Sequence, residues 1–505
     1  MKTFFTYLAL LCAVLAAPTA ASGALGLGVV DDSPKGSVDG GAAFYALMAD
    51  LGMTENRVTV AWDPERPDLA AEDAFFTSIL PTAQARGIRV ILAVYPAKAR
   101  SITNSPNAPG QFAAYLQHLA RTHPYVTDYI VGNEPNQTRF WQPQFDARGR
   151  GAACAAYESL LAASYDALKG VNPGINVIGV GLSPRGNDNP RARSNVSTSP
   201  VRCIRDMGRA FRISKRKRPI MDELSFHPYP KRDRDPLMRG YSWPNAGIPN
   251  LDRIKQAFWD AFRGTAQPTF PEGRSARGLR FRLDEVGWQV GVLPGLESHY
   301  FGQETAETTS EAAQAQVYAG LIPYLACDPT VRSVLFFGLR DEPDLDRWQA
   351  GLLRAEGSPR PAYQAVKAVM DATGGRCTGR ERTWRHARDV IGADAMFGGP
   401  GKPKLLTNLY WAFKATADEQ ATYRAGIFRA TTGRRQIARA LAGGRGGALS
   451  KSGIVNAHWT PLIKFPGKKL KGGSYVYAIE MRAAMNPTRK DLFVSRPFRV
   501  GFTRN

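Results

Sequence analysis

Acidic residues are scarce in this chain: 44 Asp and Glu stand against 66 Lys and Arg, for a formal charge of +22. Histidine and cysteine are scarcer, with 6 and 5 in 505 residues. No two cysteines have C-x-x-C spacing and the histidines form no paired helical motif, so no metal site and no cofactor are expected. Long apolar runs are almost absent. The one at Phe4 to Ala17 is short for a bilayer, and with Lys2 before it and the small residues Pro18 to Gly23 after it, residues 1–23 read as a secretory signal and not a transmembrane anchor. The mature protein is therefore expected to be secreted and extracellular. Cys12 falls in the signal, leaving Cys154, Cys203, Cys327 and Cys377, an even number that suggests two disulfides in an exported chain. Four cysteines allow three connectivities; pairing of sequence neighbours, Cys154 with Cys203 and Cys327 with Cys377, is the expected one, and four free thiols are the alternative.

The acid deficit is local. From Thr378 to Asn505, 24 Lys and Arg face 7 Asp and Glu, a net +17 of the chain's +22. This divides the chain at about residue 377 into a 24–377 domain that is nearly balanced and a strongly basic 378–505 domain.

What is abundant in 24–377 is alternation of short β-rich runs with amphipathic ones. The runs are Ala24 to Val30, Arg57 to Trp62, Arg89 to Val94, Tyr129 to Gly132, Asn176 to Gly181, Glu223 to Phe226, Arg280 to Asp284 and Val331 to Phe337. Their near-continuous Val, Ile and Leu suits strands covered on both faces, as in parallel sheets. Helical spacing intervenes, as in Phe112, Tyr115, Leu116 and Leu119, and Pro361 to Asp371 follows the last run. Eight strand-helix units predict an α/β fold, a (β/α)8 TIM barrel, with a doubly wound open sheet as the alternative. After residue 377 the pattern becomes alternating: Trp411 to Ala417, Thr422 to Arg429, Ile454 to Trp459, Tyr475 to Met481 and Leu492 to Val500, with glycine clusters between. That predicts a small all-β sandwich.

In a barrel the active site lies at the carboxyl ends of the strands. Those ends carry Asn133-Glu134-Pro135 after the fourth, His227-Pro228-Tyr229 after the sixth and Asp284-Glu285-Val286-Gly287-Trp288 at the seventh. Hydrolysis of a glycosidic bond needs a proton donor and a second carboxylate on either side of the anomeric carbon, and Glu134 with Glu285 meets that need. Asp31, Asp32, Asp63, Asp341 and Glu342 are further rim carboxylates, and Trp62, Trp141, Trp243 and Trp288 fall in or beside rim loops, where a flat ring can stack on a sugar.

These motifs and their order resemble the retaining (β/α)8-barrel glycoside hydrolase clan that holds the cellulase-type and the β-xylosidase and iduronidase-type families. The resemblance implies that Glu134 is the general acid/base and Glu285 the nucleophile. It further implies that Asn133 binds the sugar 2-hydroxyl, Tyr229 bonds to Glu285, His227 lines the site, and Arg57 keeps the nucleophile ionised. Trp62 and Trp288 join them as substrate-binding candidates. The basic domain resembles bacterial immunoglobulin-like modules attached to exported enzymes.

The expected activity is a secreted retaining glycosidase acting on a polysaccharide or oligosaccharide. The alternatives are a cell-surface carbohydrate-binding or adhesion protein with an inactive barrel, or a transglycosylase. Residues 378–505 are expected to touch anionic polysaccharide or cell wall; no specific nucleic acid partner is expected. Asn136-Gln137-Thr138 fits the glycosylation pattern, as does Asn195-Val196-Ser197, but a glycan on Asn136 would obstruct the cleft, so the first is expected to be unused.

Overall fold

The structure is a computed structural model that describes residues 23–65, 70–273, 275 and 277–386, then 404–406, 410–414, 421–444, 447–455, 462–466, 470–483 and 490–500. The segment before residue 23 that reads as a signal, Ala415 and Ala417, and the end of the Ile454 to Trp459 run lie outside the described residues.

Eight parallel strands close into a barrel in sequence order: β1 (Gly26–Val30), β2 (Glu55–Trp62), β3 (Arg89–Pro96), β4 (Asp128–Val131), β5 (Asn176–Leu182), β6 (Glu223–Phe226), β7 (Arg280–Val286) and β8 (Val331–Phe337). Pairing of β1 with β8 completes the ring, which rules out the open doubly wound sheet. Helices follow each strand: α1 (Ala42–Asp50), α2 (Ala70–Ala85), α3 (Ala108–Thr122), α4 (Ala153–Val171), α5 (Pro200–Ser214), α6 (Leu251–Phe262), α7 (Glu311–Ala326) and α8 (Pro361–Thr373). Their starts follow local chemistry. Ser199 and Ser310 cap α5 and α7 by accepting from Arg202 N and Ala313 N, and Pro200 and Pro361 stand in the first turns of α5 and α8.

Strand alternation sorts the barrel into two compartments. Outward residues such as Val58, Val60, Tyr129, Val131, Leu224 and Leu283 join the core shared with the helices, whereas Val30, Ile91, Ala93, Ile130, Ile178 and Leu335 form a separate cluster inside the ring. Below that plug, at the strands' amino ends, lies a charged layer: Arg282 is fully buried against Glu55 Oε2 at 2.6 Å, Glu223 Oε2 at 2.9 Å and Asp128 Oδ1 at 3.2 Å. Above it lies the site.

Disulfides join Cys154 to Cys203, tying α4 to α5, and Cys327 to Cys377, tying the end of α7 to the segment after α8. These are the expected neighbour pairs. No helix among the described residues is long and apolar enough to cross a membrane.

The basic domain has two antiparallel sheets. One contains β9 (Lys404–Leu406), β10 (Tyr410–Lys414) and β13 (Leu462–Pro466); the other contains β11 (Ala421–Arg429), β12 (Leu449–Val455), β14 (Gly473–Ala483), β15 (Lys490–Val494) and β16 (Phe498–Val500). Tyr423, Ala425, Tyr477 and Ile479 of the larger sheet share a core with Phe413, Ile463 and Phe465 of the smaller one, which makes a sandwich. The alternate residues Phe428, Val476 and Ala478 pack instead on Ile437 and Leu441 of α9 (Arg434–Ala442), a helix that the strand pattern did not predict. The expected single run Leu492 to Val500 is two strands, parted at Ser495 to Pro497, where proline cannot donate to a ladder.

Candidate active site

Glu134 is delivered by a backbone that only certain residues permit. Gly132 ends β4 at φ +81°, and a Cβ there would lie 2.7 Å from the Tyr157 ring. Glu134 itself sits at φ +38°, an uncommon conformation for a side-chain-bearing residue, held by its N–H bond to Gly181 O at 2.7 Å. Gly181 is at φ +62°, with its Cβ position 3.2 Å from Asn133 Cα, so β5 needs glycine where the β4 loop leans on it.

Glu285 reaches the site by another irregularity. On a regular strand Asp284 and Glu285 would face opposite sides, yet both engage Arg57: Asp284 Oδ2 is 3.3 Å from Nε, and Glu285 Oε1 accepts from Nη1. The register between β7 and β8 shifts between Leu283 and Val286, and that slip turns two consecutive carboxylates inward.

Arg57 is buried and also donates from Nη2 to Asn133 Oδ1 at 2.9 Å, so one guanidinium orients Glu285 and Asn133 together. Burial opposes its charge, but Glu285 and Asp284 outweigh burial and raise its pKa. Tyr229 Oη donates to Glu285 Oε2 at 3.0 Å. His227 is wholly buried under the pair, with Nδ1 3.1 Å from Glu134 Oε1 and 3.5 Å from Glu285 Oε2 and Nε2 3.4 Å from Asp284 Oδ2. Asp284 also accepts from Ser225 Oγ.

Burial works against an imidazolium at His227, yet Glu285 and Asp284 push its pKa up from 6.5 to about 10. It therefore carries its proton at neutral pH. The oxygens of Glu134 and Glu285 and a His227 nitrogen lie within 4.8 Å of one another, which is close enough to hold a cation. An imidazolium has no lone pair to give one, so a cation there would need His227 in its neutral form. Because the folded value exceeds the ordinary one, His227 contributes stability that is complete below pH 6.5 and fades as pH rises through about 10. The unfolding midpoint is expected to fall between pH 7 and pH 10, and His227→Asn should lack that share of the fall; an equal fall in both proteins would contradict a buried imidazolium.

The carboxylates open into a cleft of about 1370 Å³ lined by Asn133, Glu134, Tyr229, Glu285 and Arg57, with Tyr95, Phe140, Tyr241, Phe337 and Trp348 as its aromatic walls. Six of the eight expected site residues thus converge, His227 from beneath. Trp62 and Trp288 do not. Trp62 stands five residues from inward Arg57, an odd count that turns it to the helix side, where it packs edge-on to Phe112 at 5.3 Å. Trp288 is buried, with Nε1 donating to Asp235 O at 3.0 Å and its ring edge-on to Tyr318. None of these five aromatic walls was a sequence candidate; the tryptophan among them, Trp348, has its ring 4.9 Å from Tyr229 and 5.8 Å from Phe337. A lone tryptophan directly after the charged stretch Arg340 to Arg347 was its signal.

Of the further rim carboxylates, Asp341 is committed to Arg360 at 2.6 Å and Asp63 lies 3.7 Å from Lys98; Asp31, Asp32 and Glu342 line the cleft. Asn136 is fully buried, donating from Nδ2 to Thr198 O at 2.9 Å and accepting Ser183 N at 3.0 Å, so the folded protein has no amide to offer a glycan there.

No family model matches the sequence, and no curated protein does. Among solved structures, similar ones include a family 39 glycoside hydrolase from the gut symbiont Bacteroides cellulosilyticus WH2, at 19% identity over 81% of this chain and 73% of that one, with a TM-score of 0.48. A monomeric β-xylosidase from Caulobacter crescentus CB15 is 15% identical over 92% and 96% of the two chains, with a TM-score of 0.44. An endo-1,4-β-mannanase from Rhizomucor miehei is 12% identical over 69% and 94%, with a TM-score of 0.44. These likenesses concern the fold.

Proposed function

We propose that the protein is a secreted retaining glycoside hydrolase that cleaves O-glycosidic bonds of a polysaccharide or oligosaccharide through two glutamates. The observation that carries this reading is the approach of the Glu134 and Glu285 oxygens to within 4.8 Å across an open cleft. Retention needs carboxyl groups about 5 to 5.5 Å apart, whereas inversion needs roughly 6.5 Å or more to admit a water.

Roles follow from the partners. Glu285, oriented by the Arg57 guanidinium and the Tyr229 hydroxyl, attacks the anomeric carbon. Glu134 gives its proton to the departing glycosidic oxygen as that C–O bond breaks. In the second half-reaction Glu134 takes a proton from water, the water oxygen bonds to the anomeric carbon, and the bond to Glu285 breaks. Asn133, oriented by Arg57, is placed to bond a sugar hydroxyl, and Trp348 with Tyr229 offers an aromatic wall beside it.

Two paired disulfides and the reading of residues 1–23 support export. The surplus of cations in 378–505 supports contact with an anionic polysaccharide or wall polymer. The direct test is release of reducing ends from a polysaccharide panel by the parent, Glu134→Gln and Glu285→Gln. The parent is expected to cleave at least one glycan and the variants to be slower by about 10²-fold or more; equal rates would sink the assignment.

A further inference from the structure

The charges lining the cleft are unequally compensated. Arg57 is neutralised by Glu285 and Asp284, and Arg347 by Glu342 at 3.1 Å and Asp344 at 3.6 Å. Arg139, Arg185 and Lys231, like Arg340 on the loop after β8, also line the cleft, are exposed, and make no ion pair among the described residues. The first three come from the successive loops after β4, β5 and β6, so they share one side of the mouth. That side is built: Gln137 Nε2 donates to Arg185 O, and Tyr241 Oη donates to Pro230 O at 2.8 Å beside Lys231. Arg139 and Glu134 share one loop, which sets the cations on the side of the proposed proton donor.

Counter-charge is sparse on that side, because most carboxylates of the cleft stand on the loops after β1 and β8. Apart from Glu134, Asp233 is the one carboxylate of these three loops that lines the cleft; it accepts Gln289 N at 2.8 Å, and burial pushes its pKa up to about 6 against the pull of Arg185. General basicity does not account for the cluster, because residues before 378 hold only about +5 of the net charge, the remainder of +22 after the +17 of the tail. Unpaired cations in a cleft concentrate anions, and the guanidinium fork matches a carboxylate or a sulfate.

Resting on the hydrolase reading, we propose that the glycan cleaved here is anionic, with a carboxylate or sulfate of the sugar chain seated on Arg139, Arg185 and Lys231. The test is kcat/KM of the full-length protein on matched polymers: uronic-acid glycans against their carboxyl-reduced forms, and sulfated glycans against their desulfated forms. The anionic member of a pair is expected to be cleaved about tenfold faster in 50 mM NaCl, with the preference shrinking at 300 mM as screening shortens the reach of exposed charge. Which pair shows the preference identifies the anion. R139Q/R185Q/K231Q is expected to bring the ratio of anionic to uncharged turnover toward one, which separates the cleft from the basic tail. Faster cleavage of the uncharged members, or a ratio untouched by the triple variant, would overturn the proposal and leave the hydrolase reading standing. No cleavage of any polymer by the parent would sink that reading and this proposal with it.

Discussion

Glu285→Ala is expected to lose at least ~10⁴-fold in kcat, because in the proposed mechanism it removes the atom that forms the covalent bond. The loss alone would not distinguish a nucleophile from a structural anion, since Arg57 and Tyr229 both lean on this carboxylate. Azide makes the distinction. Where the carboxylate is gone, azide can enter its place, bond to the anomeric carbon from the same side and expel the leaving group with a proton from Glu134, giving a glycosyl azide of inverted configuration. In Glu134→Ala the intermediate on Glu285 still forms from a substrate with a good leaving group. Azide then attacks that intermediate, and the product keeps the starting configuration. The two variants are thus expected to give azides of opposite anomeric form. The same form from both would show that the roles are wrongly divided.

The largest expected loss of stability lies at the other end of the barrel. Arg282→Met would leave Glu55, Asp128 and Glu223 buried around an apolar side chain, and breaking a buried charge network costs about 3–5 kcal/mol. Arg89, 3.6 Å from Glu55, and Arg332, 3.2 Å from Glu223, stand at the rim of that layer, half in solvent, and cannot replace a cation at its centre. Urea unfolding monitored by tryptophan fluorescence reads the difference. A variant as stable as the parent would mean that the Arg282 network does not hold this end of the barrel.

Why some of this was legible in the sequence and some was not has a physical basis. Strands buried on both faces, such as Ile91 to Val94 and Val177 to Ile178, are apolar wherever no buried charge network takes their side chains, as it does at Arg57, Glu223, Arg282 and Asp284, and the runs stand out. Glu134 and Glu285 were legible because barrel chemistry sits where such runs end. Both arrive by irregular backbone, a positive φ and a register slip, and neither leaves a sequence sign of its own. Trp62 shows the limit of reading position along the chain without direction: it lies at a strand end, but alternation counted from Arg57 sends it outward. Trp348 is the converse, a loop residue far past β8 that only folding returns to Tyr229. The helix α9 was hidden because it is short, with four of its nine residues polar or charged and only Ile437 and Leu441 fully buried.

The measurement closest to the central claim is the anomeric configuration of the first product, followed by ¹H NMR before mutarotation on a glycan that the parent cleaves. Carboxylates this close are expected to yield a hemiacetal with the configuration of the bond that was cut, through a glycosyl group carried on Glu285. A first product of inverted configuration would mean that water attacks directly, and that Glu285 is a base and never a nucleophile.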